Sequence, residues 1–158
     1  MKEVDVPRVA GILETCLYVA DVERSARFYE GLFGFRRMTS DLRFCALAVS
    51  EGGVPGEGSP SDKQVSGRGV LLLFRRGATT KPIALPGGVI PPHDGSGQSH
   101  FAFAIPAEDL LAWEERLANA GIALESRVRW ELGGQSLYFR DRDGHLVELA
   151  TPGTWPIY

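Results

Sequence analysis

The sequence predicts an α+β domain in which two tandem β-α-β-β-β modules form a curved mixed sheet around a cavity. Three observations carry this. The order strand, helix, glycine occurs twice, and three more apolar strand candidates follow each of the two glycines. The first strands of the two halves also align along their length, so that Glu14 falls on His100 and Val19 on Ile105. A repeat of this length suggests a duplicated unit whose copies cover one another's apolar faces and sheet edges.

In the first half, residues 11–20 (GILETCLYVA) read as a strand. Asp21 then offers an N-cap to a helix with Val22, Ala26, Tyr29 and Leu32 or Phe33 at helical spacing, and Gly34 closes it. Strand candidates follow at 35–38, 43–49 and 70–74. Residues 50–69 (SEGGVPGEGSPSDKQVSGRG) are rich in Gly, Ser and Pro and read as a mobile loop inside this half. Residues 77–97 contain Pro82, Pro86, Gly87, Gly88, Pro91 and Pro92 and read as a linker, with Ile83, Leu85, Val89 and Ile90 lying against the body.

In the second half, residues 100–105 (HFAFAI) form the first strand, its Phe101, Phe103 and Ile105 packing on the helices. Leu110, Trp113, Leu117 and Ala120 mark a helix ending at Gly121, and strands follow at 122–130, 136–139 and 146–150. The expectation is one domain over residues 1–158, with a module at 9–76, a module at 98–152 and a linker at 77–97.

The net charge of -3, with no basic stripe interleaved with aromatics, gives no reason to expect nucleic acid. There is no run of about 18 apolar residues and no signal-peptide core at the N-terminus, so a soluble, cytoplasmic protein with no membrane partner is expected. Cys16 and Cys45 sit in apolar strand segments and read as small reduced core residues.

The chemistry is concentrated in three strands. Glu148 interrupts the apolar run Leu146, Val147, Leu149, and a buried carboxylate needs something cationic to meet it. Strand alternation puts Glu148 on a face with Ala150, His100 with Ala102, and Glu14 with Cys16 and Tyr18. Each polar residue is thus followed on its own face by a small one, which leaves space beside two carboxylates and an imidazole. Glu14, His100 and Glu148 make an oxygen and nitrogen ligand set suited to one Mn²⁺, Fe²⁺, Ni²⁺, Co²⁺ or Zn²⁺ ion, and three protein ligands leave positions open for water or substrate. Ser136, Tyr138 and Arg140 share a face beside the last strand. His145 has the opposite parity to Glu148 and reads as a surface turn residue, His93 as a solvated loop histidine, and residues 155–158 (WPIY) as a packed tail.

The stretches LYVADVERSARFYEGLFGF, SHFAFAI, LANAGI and SLYFRDRDGHLVELATP carry a resemblance that covers nearly all of the chain outside residues 50–69. The chain resembles the vicinal oxygen chelate superfamily, which includes glyoxalase I, extradiol ring-cleaving dioxygenases, fosfomycin-resistance enzymes, methylmalonyl-CoA epimerase and the bleomycin-resistance proteins. The resemblance implies metal ligands on the first strand of each module and on the last strand of the second, which map onto Glu14, His100 and Glu148. The family's first ligand is often His or Gln, so Glu14 makes this set more anionic. Glyoxalase I enzymes add a Glu on the last strand of the first module, where this chain has Leu72 or Leu73. The Ser-x-Tyr-Phe strand of the fosfomycin-resistance enzymes is echoed by Ser136, Leu137, Tyr138 and Phe139, whereas Cys16 replaces a substrate-binding Thr and the phosphonate-holding basic residues have no clear counterpart.

What the resemblance implies is a divalent-metal-dependent lyase or isomerase of the glyoxalase type, acting on a small substrate with two adjacent oxygens. Glu14 and Glu148 are its expected catalytic carboxylates, with Glu14 the base, and Cys16, Tyr18, Ala102, Ser136 and Tyr138 its expected substrate contacts. The alternatives are a metal-free binding or resistance protein and an Fe²⁺ extradiol-type dioxygenase. A homodimer is expected, with the site formed within one chain or across two.

Overall fold

The computed structural model describes residues 7–51 and 68–158. The expected loop at 50–69 falls largely outside the described residues. Its two ends lie in strands, where Ser50 pairs with Gly69 and Glu51 with Arg68.

The first module runs β1 (Glu14–Val19), α1 (Val22–Phe33), β2 (Arg36–Ser40), β3 (Phe44–Glu51) and β4 (Arg68–Arg75). Its sheet has the order β1-β4-β3-β2, with β1 parallel to β4 and the other pairs antiparallel. A short hairpin follows, β5 (Ile83–Leu85) and β6 (Gly88–Ile90). The second module is β7 (His100–Ala104), α2 (Leu110–Asn119), β8 (Ser126–Arg129), β9 (Gln135–Arg140) and β10 (Leu146–Ala150). Its sheet repeats the plan as β7-β10-β9-β8. The α+β class and the paired modules stand, built as two four-stranded mixed sheets.

Helix α1 begins where Asp21 accepts a hydrogen bond from the Arg24 N–H at 2.9 Å, and ends at Gly34 with φ 72°, a left-handed geometry that suits glycine. Val22, Ala26, Tyr29 and Leu32 form its buried stripe. Helix α2 has no such side-chain cap; a single 3-10 turn after Pro106 leads into it.

Alternation assigns one face of each strand to the core. Leu17, Val19, Leu47, Leu71, Leu73, Leu137, Phe139, Val147 and Leu149 are all essentially inaccessible and belong to one cluster that joins both modules. The Phe33 ring of α1 packs tilted against Phe103 and Trp113, with centroids 4.8 and 5.2 Å away, so the first module's helix packs on the second module's apolar face. The opposite face of each sheet is turned away from this core. No helix among the described residues is long and apolar enough to cross a membrane.

The turn between β9 and β10, DRDGH, locks the modules together. Asp141 accepts from the Tyr29 hydroxyl at 2.7 Å and from the N–H groups of Asp143 and His145. Asp143 accepts from the Ala20 N–H at 2.7 Å and the Ser25 hydroxyl at 2.8 Å, with Arg24 and Arg76 beside it. Burial opposes ionisation of Asp143, but these donors and guanidinium groups hold its carboxyl below the ordinary range. Burial, then the charge and hydrogen bond of Asp141, raise the Tyr29 phenol well above its ordinary value, so it stays a donor.

Four expectations are corrected here. His145 is not a surface turn residue: it is 1% exposed. Its Nδ1 accepts from the Ser99 N–H at 2.9 Å, which leaves Nε2–H to donate to the Tyr18 carbonyl at 3.1 Å. Cys45 is a core thiol as expected, but Cys16 is exposed on the outer face. Of the tail, only Tyr158 docks, its hydroxyl donating to the carbonyls of Ala150 and Ile105, while Trp155 and Ile157 are exposed. The linker is not irregular throughout, because it contains the β5-β6 hairpin.

Candidate functional site

The outer face of the second sheet is polar. Parallel pairing sets Glu148 opposite Ala102, and antiparallel pairing sets it opposite Tyr138. The carboxylate is 6% exposed and its burial is met by hydroxyls: Oε1 accepts from Ser136 at 2.5 Å and from Tyr138 at 2.9 Å. The Ser136 oxygen in turn accepts from the Trp130 indole N–H at 2.8 Å. Burial, then the hydrogen bond and charge of Glu148, raise the Tyr138 phenol, so it remains a donor to the carboxylate.

Glu148 Oε2 is left free of these donors and lies 3.3 Å from His100 Nε2. On the other side of that ring, Nδ1 donates to the Leu146 carbonyl at 3.2 Å, which consumes the proton of a neutral imidazole. A lone pair on Nε2 then faces a carboxylate oxygen, so a cation belongs between them, either a proton or a metal ion. Two donors each about 2.1 Å from a shared ion stand roughly 3.0–3.4 Å apart, so the pair fits two ligands of one divalent ion. The Ala102 methyl leaves that space open.

Glu14 is not beside them. It lies on β1 in the other sheet, and among the described residues no three His, Cys, Asp or Glu side chains gather closely enough to hold an ion. Glu14, Cys16 and Tyr18 instead line a cavity of about 660 Å³ on the first sheet's outer face. Burial, then the charge of Glu14, raise the Cys16 thiol, which disfavours a thiolate there. Register settles the position equivalent to Glu148. Cys16 pairs with Leu72 as Ala102 pairs with Glu148, so the counterpart is Leu72, while Leu73 points into the core.

Two residues of these faces escaped the sequence reading. Trp130 was visible only as the end of a strand; a Trp whose N–H must find a partner, near a Ser of the neighbouring strand, was the available signal. His93 is not a solvated loop residue but lines the cavity with Tyr18, the two bonded at 2.7 Å between Nδ1 and the phenol oxygen. Gly95 lets the strap lie flat on the Tyr18 ring, since a Cβ there would come within 2.4 Å of a ring carbon.

Comparison with known proteins agrees with this architecture. The model of the Glyoxalase/Bleomycin resistance protein/Dioxygenase superfamily matches residues 11–149. A metallothiol transferase, FosB of Bacillus licheniformis, is 46% identical over 145 residues, covering 91% of this chain and 77% of that protein. The glutathione transferase FosA of Serratia marcescens is 38% identical over 60 residues, 38% of this chain and 40% of that protein. Among solved structures, lactoylglutathione lyase from Agrobacterium tumefaciens superposes with a TM-score of 0.76 at 26% identity, covering 95% of this chain and 99% of that one.

Proposed function

The chain belongs to the Glyoxalase/Bleomycin resistance protein/Dioxygenase superfamily, and we propose that within it the protein is a divalent-metal-dependent enzyme that transfers a thiol to a small substrate with adjacent oxygens. The observation that carries the metal is the His100 Nε2 to Glu148 Oε2 separation of 3.3 Å, with the outer atom of each side chain already tied to protein. Likeness to a metallothiol transferase over 91% of the chain favours thiol transfer over the lyase or isomerase chemistry that the sequence first suggests. Leu72, where glyoxalase I enzymes carry their extra Glu, favours it too. The lyase reading stays second because the lactoylglutathione lyase structure covers 95% of this chain.

Glu14, on the outward face of the first sheet, is the third ligand, and it reaches the His100 and Glu148 pair from a second copy of the chain. A bound divalent ion supplies Lewis-acid stabilisation of negative charge developing on the substrate oxygens. Ser136 and Tyr138 fix the Glu148 carboxylate, and the Leu146 carbonyl fixes the His100 ring. Glu14 would take the proton of the incoming thiol as its sulfur bonds to a substrate carbon and the carbon–oxygen bond there breaks, leaving the negative charge on that oxygen.

The test uses protein purified without chelator and supplied with Mn²⁺. Metal content is measured beside Glu148→Ala, and ³¹P NMR follows fosfomycin mixed with glutathione or L-cysteine. One metal per site, lost in the variant, and a thioether product support the proposal. Metal bound with conversion only of methylglyoxal and glutathione to lactoylglutathione moves the assignment to the lyase. Metal-dependent oxygen uptake with catechol moves it to the dioxygenase. Absence of metal in parent and variant alike, after Mn²⁺, Fe²⁺, Ni²⁺, Co²⁺ and Zn²⁺ are each supplied, leaves a metal-free binding protein.

A further inference from the structure

The cavity on the first sheet is lined largely by aromatic rings and aliphatic side chains. Phe44, Phe74 and Tyr18 form a row of rings, with centroids 5.7 and 6.0 Å apart and interplanar angles of 23° and 28°. His93 stands edge-on to Phe74 at 4.7 Å. Leu72 contributes the floor, and Ile83, Leu85 and Ile90 of the hairpin contribute the wall. At about 660 Å³ the cavity falls within the roughly 300–1,000 Å³ that drug-sized ligands occupy.

Arg43 lines it too, its guanidinium paired with Asp41 at 2.9 Å, and the other polar groups are set apart along the first strand. Glu14 and Tyr18 are four residues apart on β1, hence about 13 Å apart along the strand. Glu14 is at one end, and the Tyr18–His93 pair is at the other. A ligand whose oxygens meet an ion that Glu14 would help to hold has its remaining length between ring faces and aliphatic side chains, which favour apolar and aromatic surface. The strap that carries His93 is pinned in place, Thr79 and His93 exchanging a hydroxyl and a backbone N–H, and Asp94 accepting from the Gly77 N–H. These bonds fix that wall of the cavity.

We propose that the substrate carries its adjacent oxygens on an aromatic body, and that the ring seats in this cavity between Tyr18, Phe44, Phe74 and the hairpin. This rests on the metal-site reading above, because Glu14 is what joins the cavity to the ion.

Mandelate and lactate test it, since both offer a hydroxyl and a carboxylate oxygen to an ion and only mandelate has a ring. Calorimetric titration of Zn²⁺-loaded protein is expected to give roughly 10- to 100-fold tighter binding of mandelate. Leu85→Asp, at a position already 51% exposed and so tolerant of a charge, is expected to shrink that ratio at least about fivefold. Zn²⁺ content should be unchanged, and Ile83→Ser should repeat the result. Equal affinities overturn the proposal, as does a preference that survives both variants or a cavity that binds neither acid because a second copy fills it. Protein that takes up no Zn²⁺ overturns the metal reading on its own. The ring preference is then read on metal-free protein with phenylacetate against acetate, where equal or absent binding overturns the cavity assignment as well.

Discussion

Glu148 and Leu72 hold the same place in the two modules. Each lies on the last strand of its sheet, and the parallel neighbour offers a small residue, Ala102 to one and Cys16 to the other. On the antiparallel side, Glu148 meets Tyr138 and has the Ser136 hydroxyl within 2.5 Å, while Leu72 meets Ala46, and Phe44 stands where the repeat has Ser136. One backbone therefore supports a buried anion in one copy and an aromatic pocket in the other. The fold sets where a side chain points, and its cross-strand neighbours decide whether a charge is tolerated there.

The largest expected effect comes from emptying the charged copy. Glu148→Ala should weaken Zn²⁺ affinity by more than about 100-fold, a loss greater than the 10- to 100-fold typical of outer supporting groups. Calorimetric titration measures it, and undiminished affinity would show that the two faces do not differ in the way described. Writing the charge into the other copy comes next. Leu72→Glu should cost about 2 kcal/mol in denaturant unfolding, because neither Ala46 nor Phe44 can donate to it, and the double variant with Phe44→Ser should recover about half.

Ser136→Ala tests the support and not the ligand. It removes one donor to Glu148 Oε1 and the acceptor of the Trp130 N–H, so metal affinity should fall about 10-fold while the fold is retained. The smallest effect is at the module junction. The depressed Asp143 carboxyl contributes stability that is present above about pH 4, the ordinary carboxyl value, and is lost as the pH falls through its own lower value. Asp143→Asn should lower the neutral-pH Tm by about 2–4 °C, the shift that roughly 1 kcal/mol gives a domain of this size, and flatten the Tm profile below pH 4.

Local signals made most of the fold legible. Leu146–Ala150 was read to the residue, and α1 was framed by the Asp21 cap and Gly34. The hairpin was missed because Pro86 and Gly87 looked like linker punctuation, whereas they make the two-residue turn between Leu85 and Gly88. For the site, alternation sets Ser136, Tyr138 and Arg140 on one face beside the last strand and suggests substrate contacts, whereas the Ser136 and Tyr138 hydroxyls donate to Glu148. It could not tell how the two sheets stand relative to each other, so the distance of Glu14 from His100 was beyond it. Parity also misplaced His145, since pointing away from Glu148 meant pointing into the junction and not into solvent.

The DRDGH turn has a consequence for recombination. Its partners are the Tyr18 carbonyl, which accepts from His145, and the Ala20 N–H, Ser25 hydroxyl and Tyr29 hydroxyl, which donate to its carboxylates, all within twelve residues of the first module. These two short segments form a matched set. A chimera that grafts the second half of this chain onto another member's first half inherits a ready-made address only if both segments travel together; otherwise Asp143 loses the Ala20 N–H and the Ser25 hydroxyl, and Asp141 loses the Tyr29 hydroxyl.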